Sequence, residues 1–212
     1  MIERWLDTAS PYAIAKSNAS GFTTNPVLQA GWCGPDGGIT YDEWEDRVID
    51  AANGRWLSLE VRSGTLAEME REAHRILDLA PNVYVKIPIQ TPQGSPTAGL
   101  IRNLERVNAT CCFTRAHMEQ AVAAKAAICS VFAGRIADTG RDPAGLFGIW
   151  TANHHPTRFL WASTREVYNI VQAEKARCDI ITLSPELYEK AEKMLGADID
   201  QVALDTVKDF CS

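Results

Sequence analysis

Short apolar runs alternate with amphipathic segments from one end of the chain to the other. Runs rich in β-branched and aromatic residues, bounded by Pro, Gly, Asn or Ser, predict buried strands over 4–10, 21–25, 56–61, 83–88, 107–113, 127–134, 158–163 and 179–183. Helices are predicted between them, near 12–17, 41–52, 66–79, 97–104, 116–127, 143–152, 165–176 and 185–194, and one more follows over 199–210. The stripe Leu66, Met69, Ala73, Ile76 and Leu77, with Glu68, Glu70, Arg71 and Glu72 on the wet side, has the helical period. Eight strand–helix pairs in 212 residues leave about 26 residues per unit, near the lower size limit of a closed (β/α)8 barrel. The alternative, a doubly wound open sheet, calls for a glycine-rich turn after the first strand, and Leu6-Asp-Thr-Ala-Ser-Pro11 is not one. The expectation is therefore an α/β fold, a single barrel domain over residues 1–212 with an extra C-terminal helix.

Residues two apart on a strand share a face. One face carries Trp5 and Asp7, Ser58 and Glu60, Tyr84 and Lys86, Asn108 and Thr110, Ser130 and Phe132, Trp161 and Ser163. The other carries Leu6, Leu57, Leu59, Val83, Val85, Ile87, Ala109, Val131, Leu160 and Ala162. The apolar face belongs against the helices. The polar one then points into the barrel and collects at the C-terminal ends of the strands, where barrel enzymes keep their active sites. Inward polar residues can also satisfy one another in layers, yet a core that needs only packing gains nothing from Asp, Glu and Lys, whose burial unpaired is costly.

Lys86 sits in the middle of one such strand. Burial disfavours the ammonium, and a neutral amine can attack a carbonyl and form a Schiff base. The competing reading is an ordinary strand-end lysine whose charge reaches water or pairs with a carboxylate.

Charge and composition narrow the field further. A net charge of -6 and a pI near 5.3 leave no basic footprint for nucleic acid, and no apolar run approaches the ~20 residues of a membrane span. The first residues lack a basic leader followed by an apolar core, so a cytoplasmic protein is expected. The six cysteines include the adjacent pair Cys111 and Cys112 and no C-x-x-C, which fits reduced core residues better than a disulfide scaffold. His154 and His155 are adjacent and have no carboxylate partner at metal-site spacing, so no metal is expected.

Seven strings, Leu6-Asp-Thr-Ala, Gly21-Phe-Thr-Thr-Asn-Pro26, Ser58-Leu-Glu-Val61, Val85-Lys-Ile-Pro88, Val107-Asn-Ala-Thr110, Val131-Phe-Ala-Gly-Arg-Ile136 and Ala162-Ser-Thr-Arg165, together resemble the transaldolase family, in order and over almost the whole chain. The compact length is similar to that of the small transaldolases and the fructose-6-phosphate aldolases. The resemblance implies a class I aldolase of the TIM-barrel type, with Lys86 as the Schiff-base lysine and no cofactor. It implies Asp7 as the acid–base group, and Glu60 with Thr110 as the holders of a proton-carrying water. Asn25 and Asn108 would bind substrate hydroxyls, with Thr24 and Ser130 lining the same space. Arg135, Arg165 and Ser163 would clamp the phosphate of a phosphorylated sugar substrate. The aldolase branch resembles a Gln where this chain has Glu60 and a Tyr where it has Phe132, so both positions here are of the transferase kind. The resemblance further implies a homo-oligomer, possibly a ring, with the helix over 199–210 lying on a neighbour.

The chain departs from the family pattern in three places. Asn103-Leu-Glu-Arg106 replaces a Glu-Gly-Ile turn, Cys111-Cys112 replaces an aliphatic pair, and the loop over 30–38 has no counterpart and lacks the G-K-[ST] ending of a phosphate loop. The last leaves the acceptor sugar open, including a longer sugar phosphate of a secondary metabolite.

Overall fold

The computed structural model describes residues 2–33, 38–148 and 156–211. Eight parallel strands, β1 (Glu3–Asp7), β2 (Gly21–Thr23), β3 (Trp56–Glu60), β4 (Val83–Pro88), β5 (Val107–Cys112), β6 (Ile128–Val131), β7 (Arg158–Trp161) and β8 (Ile180–Leu183), close into a barrel in chain order. Around them run α1 (Pro11–Lys16), α2 (Pro26–Cys33), α3 (Tyr41–Ala52), α4 (Leu66–Leu79), α5 (Ala98–Arg102), α6 (Arg115–Ala123), α7 (Ala133–Ala137), α8 (Ala144–Phe147), α9 (Tyr168–Lys175) and α10 (Pro185–Met194). The extra helix α11 (Ile199–Cys211) follows β8 and α10. The expected (β/α)8 barrel with a C-terminal helix is thus the fold.

Local chemistry starts several of the helices. Thr40 and Glu43 form a reciprocal capping box on α3, and Thr65, Thr114 and Ser184 each accept a backbone N–H at the start of α4, α6 and α10. Two elements fall where no helix was predicted. Asn25 accepts from the amides of Val27 and Leu28 and so opens α2, which takes in residues 30–33 of the unassigned loop. α7 begins inside the stretch expected to be strand to residue 134. Of the predicted helix over 143–152 only α8 lies among the described residues, and residues 34–37 of the loop and His154 and His155 lie outside them.

The barrel interior is layered. Its floor is apolar: Trp5, Ile128, Leu160, Ala162 and Ile180 pack together, with Tyr84 and Phe132 against them. Gly21 makes room for the indole, since a Cβ there would lie 2.5 Å from the Trp5 ring. The polar residues sit above this floor, which raises them to the C-terminal mouth.

Parity misplaced one strand. Trp161 was expected beside the pocket, but its ring stacks on Phe147 at 5.4 Å and 13° on the outer side of the barrel, while Leu160 and Ala162 turn inward. The run Phe159-Leu160-Trp161-Ala162 is apolar on both faces, so alternation gave no sign of which face was inner. A second irregularity lies in β5, whose register with β6 shifts between Ala109 and Cys112; Cys111 there takes a left-handed conformation at φ 57°.

Candidate active site

The register of the sheet brings the predicted residues together. Glu60 pairs with Lys86 across β3 and β4, and Lys86 with Asn108 across β4 and β5. Side chains at paired positions point the same way, so Glu60, Lys86 and Asn108 converge inside the mouth. Lys86 is 5% exposed. Its Nζ lies 2.9 Å from Glu60 Oε2 and donates to the carbonyl of Thr24 at 2.6 Å. Asp7 closes the cluster from β1, where its Oδ1 accepts from Thr23 Oγ1 at 2.6 Å; that hydroxyl also contacts Thr182 Oγ1 at 2.7 Å.

The charge state of Lys86 differs from the neutral amine expected of a buried lysine. Burial does push the ammonium towards deprotonation, but Glu60 and then Asp7 outweigh it and hold Lys86 above its ordinary value. The lysine therefore rests as an ion-paired ammonium. Attack on a carbonyl requires a proton to leave it first, and Glu60 is the acceptor in contact. Asp7 is shifted the other way from a surface carboxylate: burial raises it, against the opposing pull of Lys86 and the Thr23 hydrogen bond. A carboxyl held up in this way can give and take a proton near neutral pH more readily than one in water.

On the next strands Ser58, Asn108 and Ser130 form a chain. Ser130 Oγ donates to Asn108 Oδ1 at 2.7 Å, and Asn108 Nδ2 donates to Ser58 Oγ at 3.2 Å. Two hydroxyls predicted for the site, Thr24 Oγ1 and Thr110 Oγ1, are buried without a protein partner. Buried polar atoms are normally satisfied, so these two hydroxyls keep hydrogen-bonding capacity that the protein does not use.

The β6 and β7 ends carry the arginines. Arg135 on α7 holds its guanidinium 5.3 Å from the centre of the Phe132 ring, and that ring tilts against Phe113 at 5.4 Å. Phe132 packs on the inner apolar cluster, as parity predicted. Arg165 reaches Asp138 Oδ2 at 2.8 Å, in an exposed ion pair that contributes little to stability. Ser163 lies beside it in a left-handed conformation at φ 61°. Asn25 follows β2 at the same end of the barrel, and its Oδ1 accepts from the amides of Val27 and Leu28 in α2.

Several residues at the site went unnamed in the sequence. Thr182 follows from alternation on β8, since Ile-Ile-Thr-Leu places one polar residue inward. Cys111, expected as a reduced core residue, lies at the site as well. The β5 bulge sets its thiol near Glu60 and Lys86, and burial followed by Glu60 pushes it up to about 11, so it stays a neutral thiol. No sequence period reveals a bulge. At the opposite end of the barrel, a concavity of about 700 Å³ lined by Glu3, Arg158, Glu174, Arg177 and Asp179 contains none of these groups. Among the described residues no group of three or more His, Cys, Asp or Glu is arranged to hold a metal, and no helix is long and apolar enough to cross a membrane.

The fold and the site define a (β/α)8 barrel with a buried lysine–carboxylate centre at its C-terminal mouth. Comparison with known proteins narrows this to a family. The model of the transaldolase/fructose-6-phosphate aldolase family matches residues 4–210, and the chain belongs to that family. A probable transaldolase of Roseiflexus castenholzii is 33% identical, over 92% of this chain and 91% of its own. One from Nitrosopumilus maritimus is 31% identical, over 97% and 93%. Among solved structures, a putative phosphonomutase from Burkholderia cenocepacia superposes with a TM-score of 0.58 at 18% identity, covering 94% of each chain. A thiamine phosphate pyrophosphorylase from Pyrococcus furiosus gives the same score at 8% identity, over 91% and 94%. These two likenesses concern the fold alone.

Proposed function

We propose that the chain is a transaldolase, moving a dihydroxyacetone unit from a ketose phosphate to an aldose acceptor through a Schiff base on Lys86. The observation that carries this reading is the contact of buried Lys86 with buried Glu60, with half-buried Asp7 close enough to act on the charge of the lysine. Lys86 passes a proton to Glu60 and attacks the C2 ketone; loss of water from the carbinolamine gives an iminium. Glu60 and the free hydroxyl of Thr110 hold the water that carries these protons. The iminium then takes up the electron pair of the C3–C4 bond while Asp7 removes the C4 hydroxyl proton. An aldose phosphate leaves, and the enamine that remains adds to the acceptor aldehyde. Ser130, Asn108 and Asn25 hold hydroxyls of the donor, and Thr24 lines the same space. The reaction needs no cofactor or metal, and a cytoplasmic enzyme of one domain fits it. Reduction with borohydride in the presence of fructose 6-phosphate, followed by mass spectrometry, is expected to find the adduct on Lys86. Adduct elsewhere, or none, removes the reading.

Transfer and simple aldol cleavage differ in the fate of the enamine. Release of free dihydroxyacetone requires protonation of the enamine carbon and hydrolysis of the imine. Phe132 offers no proton, and its ring shields the intermediate from bulk water. Phe132→Tyr is expected to raise release from fructose 6-phosphate relative to transfer onto erythrose 4-phosphate, and adding Glu60→Gln to move the ratio further. An unchanged ratio in both variants would favour the aldolase reading or a different pocket wall.

Arg135, Ser163 and Arg165 are assigned to the phosphate, for which guanidinium geometry is suited. Arg165 exchanges Asp138 for the substrate. Arg135→Ala and Arg165→Ala should each weaken phosphorylated substrates by about 1.5–3 kcal/mol and hardly change reaction with unphosphorylated fructose. Equal losses on both substrates would make the arginines structural.

The reading extends to a homo-oligomer. Helix α11 buries no residue of its own, and Ile199, Leu204, Val207 and Phe210 are exposed, the last to 85%. An apolar face of this kind fits a second copy of the chain. Sedimentation should give a mass well above 23.3 kDa for the parent, and a lower one for Val207→Asp combined with Phe210→Asp. A parent sedimenting as a monomer would overturn the assembly.

A further inference from the structure

Gln29 lies on α2, one turn beyond Asn25, and its backbone N–H donates to the Asn25 carbonyl at 3.0 Å. It is 3% exposed, and its Oε1 has no hydrogen-bond partner in the protein. On the same helix Val27, Ala30 and Gly31 are exposed, so Gln29 is the polar residue on the inner face. Helical side chains lean back towards the helix N-terminus and cover the residue four places earlier. That direction takes the Gln29 carboxamide towards Asn25, which follows Thr24, whose carbonyl accepts from Lys86.

The two amides are complementary. Asn25 Oδ1 is held by the Val27 and Leu28 amides, so this residue can offer a ligand only its N–H donors. Gln29 Oε1 is an acceptor with nothing to accept. A hydroxyl group both accepts and donates, so one hydroxyl placed between them satisfies both at once. We propose that Gln29 is a specificity-determining residue that, together with Asn25, holds one hydroxyl of the dihydroxyacetone unit. Asn25 donates to the hydroxyl oxygen, and the hydroxyl donates a hydrogen bond to Gln29 Oε1. The orphaned acceptor is then filled only when a hydroxylated ketone is bound, and ketones lacking the hydroxyl leave it empty. This role rests on the imine chemistry proposed above.

The test reads imine formation without turnover. Parent, Gln29→Met and Gln29→Glu are incubated with increasing dihydroxyacetone or acetone, reduced with borohydride, and the Lys86 adduct is measured by mass. Each ketone condenses with the Lys86 amine, releasing water, and hydride from borohydride reduces the iminium to a stable secondary amine. Gln29→Met keeps the length and removes the acceptor. It is expected to raise the half-saturating concentration of dihydroxyacetone about tenfold or more, as sites built around a hydroxyl lose selectivity when its partner goes, and to leave that of acetone unchanged. Gln29→Glu keeps an acceptor at the same place and should retain the parent's ratio between the two ketones. Unchanged dihydroxyacetone binding in Gln29→Met, or equal changes for both ketones, would overturn the proposal. A parent that forms no adduct at Lys86 with either ketone would instead sink the imine chemistry itself.

Discussion

Lys86→Met is expected to lower transfer of the dihydroxyacetone unit by more than about a hundredfold, since it removes the amine on which the proposed iminium forms. The replacement keeps most of the side-chain volume, so the barrel should still assemble. What it removes is the cation that Glu60 contacts at 2.9 Å and that pulls Asp7 down against its burial. Asp7 and Glu60 then both lose the cation they share, which is costly for carboxylates that burial already disfavours. The sign of the pH dependence follows from Asp7. Its pKa in the folded protein is already above its ordinary value, and loss of Lys86 raises it further. A carboxyl with a raised folded-state pKa penalises folding at pH values above that pKa, and the penalty is relieved as pH falls through it. The variant should therefore melt further below the parent at neutral pH than in mild acid. Circular dichroism melts at the two pH values, alongside the transfer assay, check both halves. Transfer above about a hundredth of the parent rate would rule out an imine at Lys86 as the mechanism.

Strand–helix alternation, and with it the barrel, was open to reading because β-branched runs and helical stripes are local signals. The inward set was legible wherever one face of a strand was polar, as with Ser58 and Glu60 or Asn108 and Thr110. It failed on β7, where both faces are apolar and Trp161 turned out to pack outward on Phe147. It could not anticipate Cys111, because a bulge breaks the period of two and only the partner strand shows the break. The protonation of Lys86 was also beyond a sequence argument. Burial alone predicts a neutral amine, and the answer reverses only once the cross-strand register places Glu60 beside it. Helix α2 was missed because the residue that caps it, Asn25, reads as a substrate-binding residue in the sequence. The same oversight hid Gln29, since a lone Gln in a short segment carries no period.

Gly134→Ala is the second substitution with a large expected effect, although it removes no functional group. A Cβ at Gly134 would run directly into the carbonyl oxygen of Ser163 and approach Arg165 Cγ at 3.2 Å. The obstacle is backbone, so no side chain can swing aside. Ser163 is already in a left-handed conformation, and the segment after it is tied down on both sides: Thr164 Oγ1 donates to the Thr182 carbonyl at 2.7 Å, and Arg165 N–H to Asn169 Oδ1 at 2.9 Å. The methyl must therefore push the β7 end away from α7 or strain both. Overpacking of this kind costs about 1–3 kcal/mol, which the fold can bear as a lowered melting temperature. The displaced residues are Ser163 and Arg165 on one side and Arg135 on the other, so the proposed phosphate clamp would lose its spacing. The efficiency for fructose 6-phosphate is expected to fall at least about a hundredfold, because charge-assisted pairs depend steeply on geometry, while imine formation with dihydroxyacetone changes little. Combining Gly134→Ala with Arg165→Ala should cost less than the sum of the two, since both act on the same contact. Parent-like efficiency in Gly134→Ala, or strict additivity with Arg165→Ala, would show that the junction of α7 and β7 does not hold the phosphate.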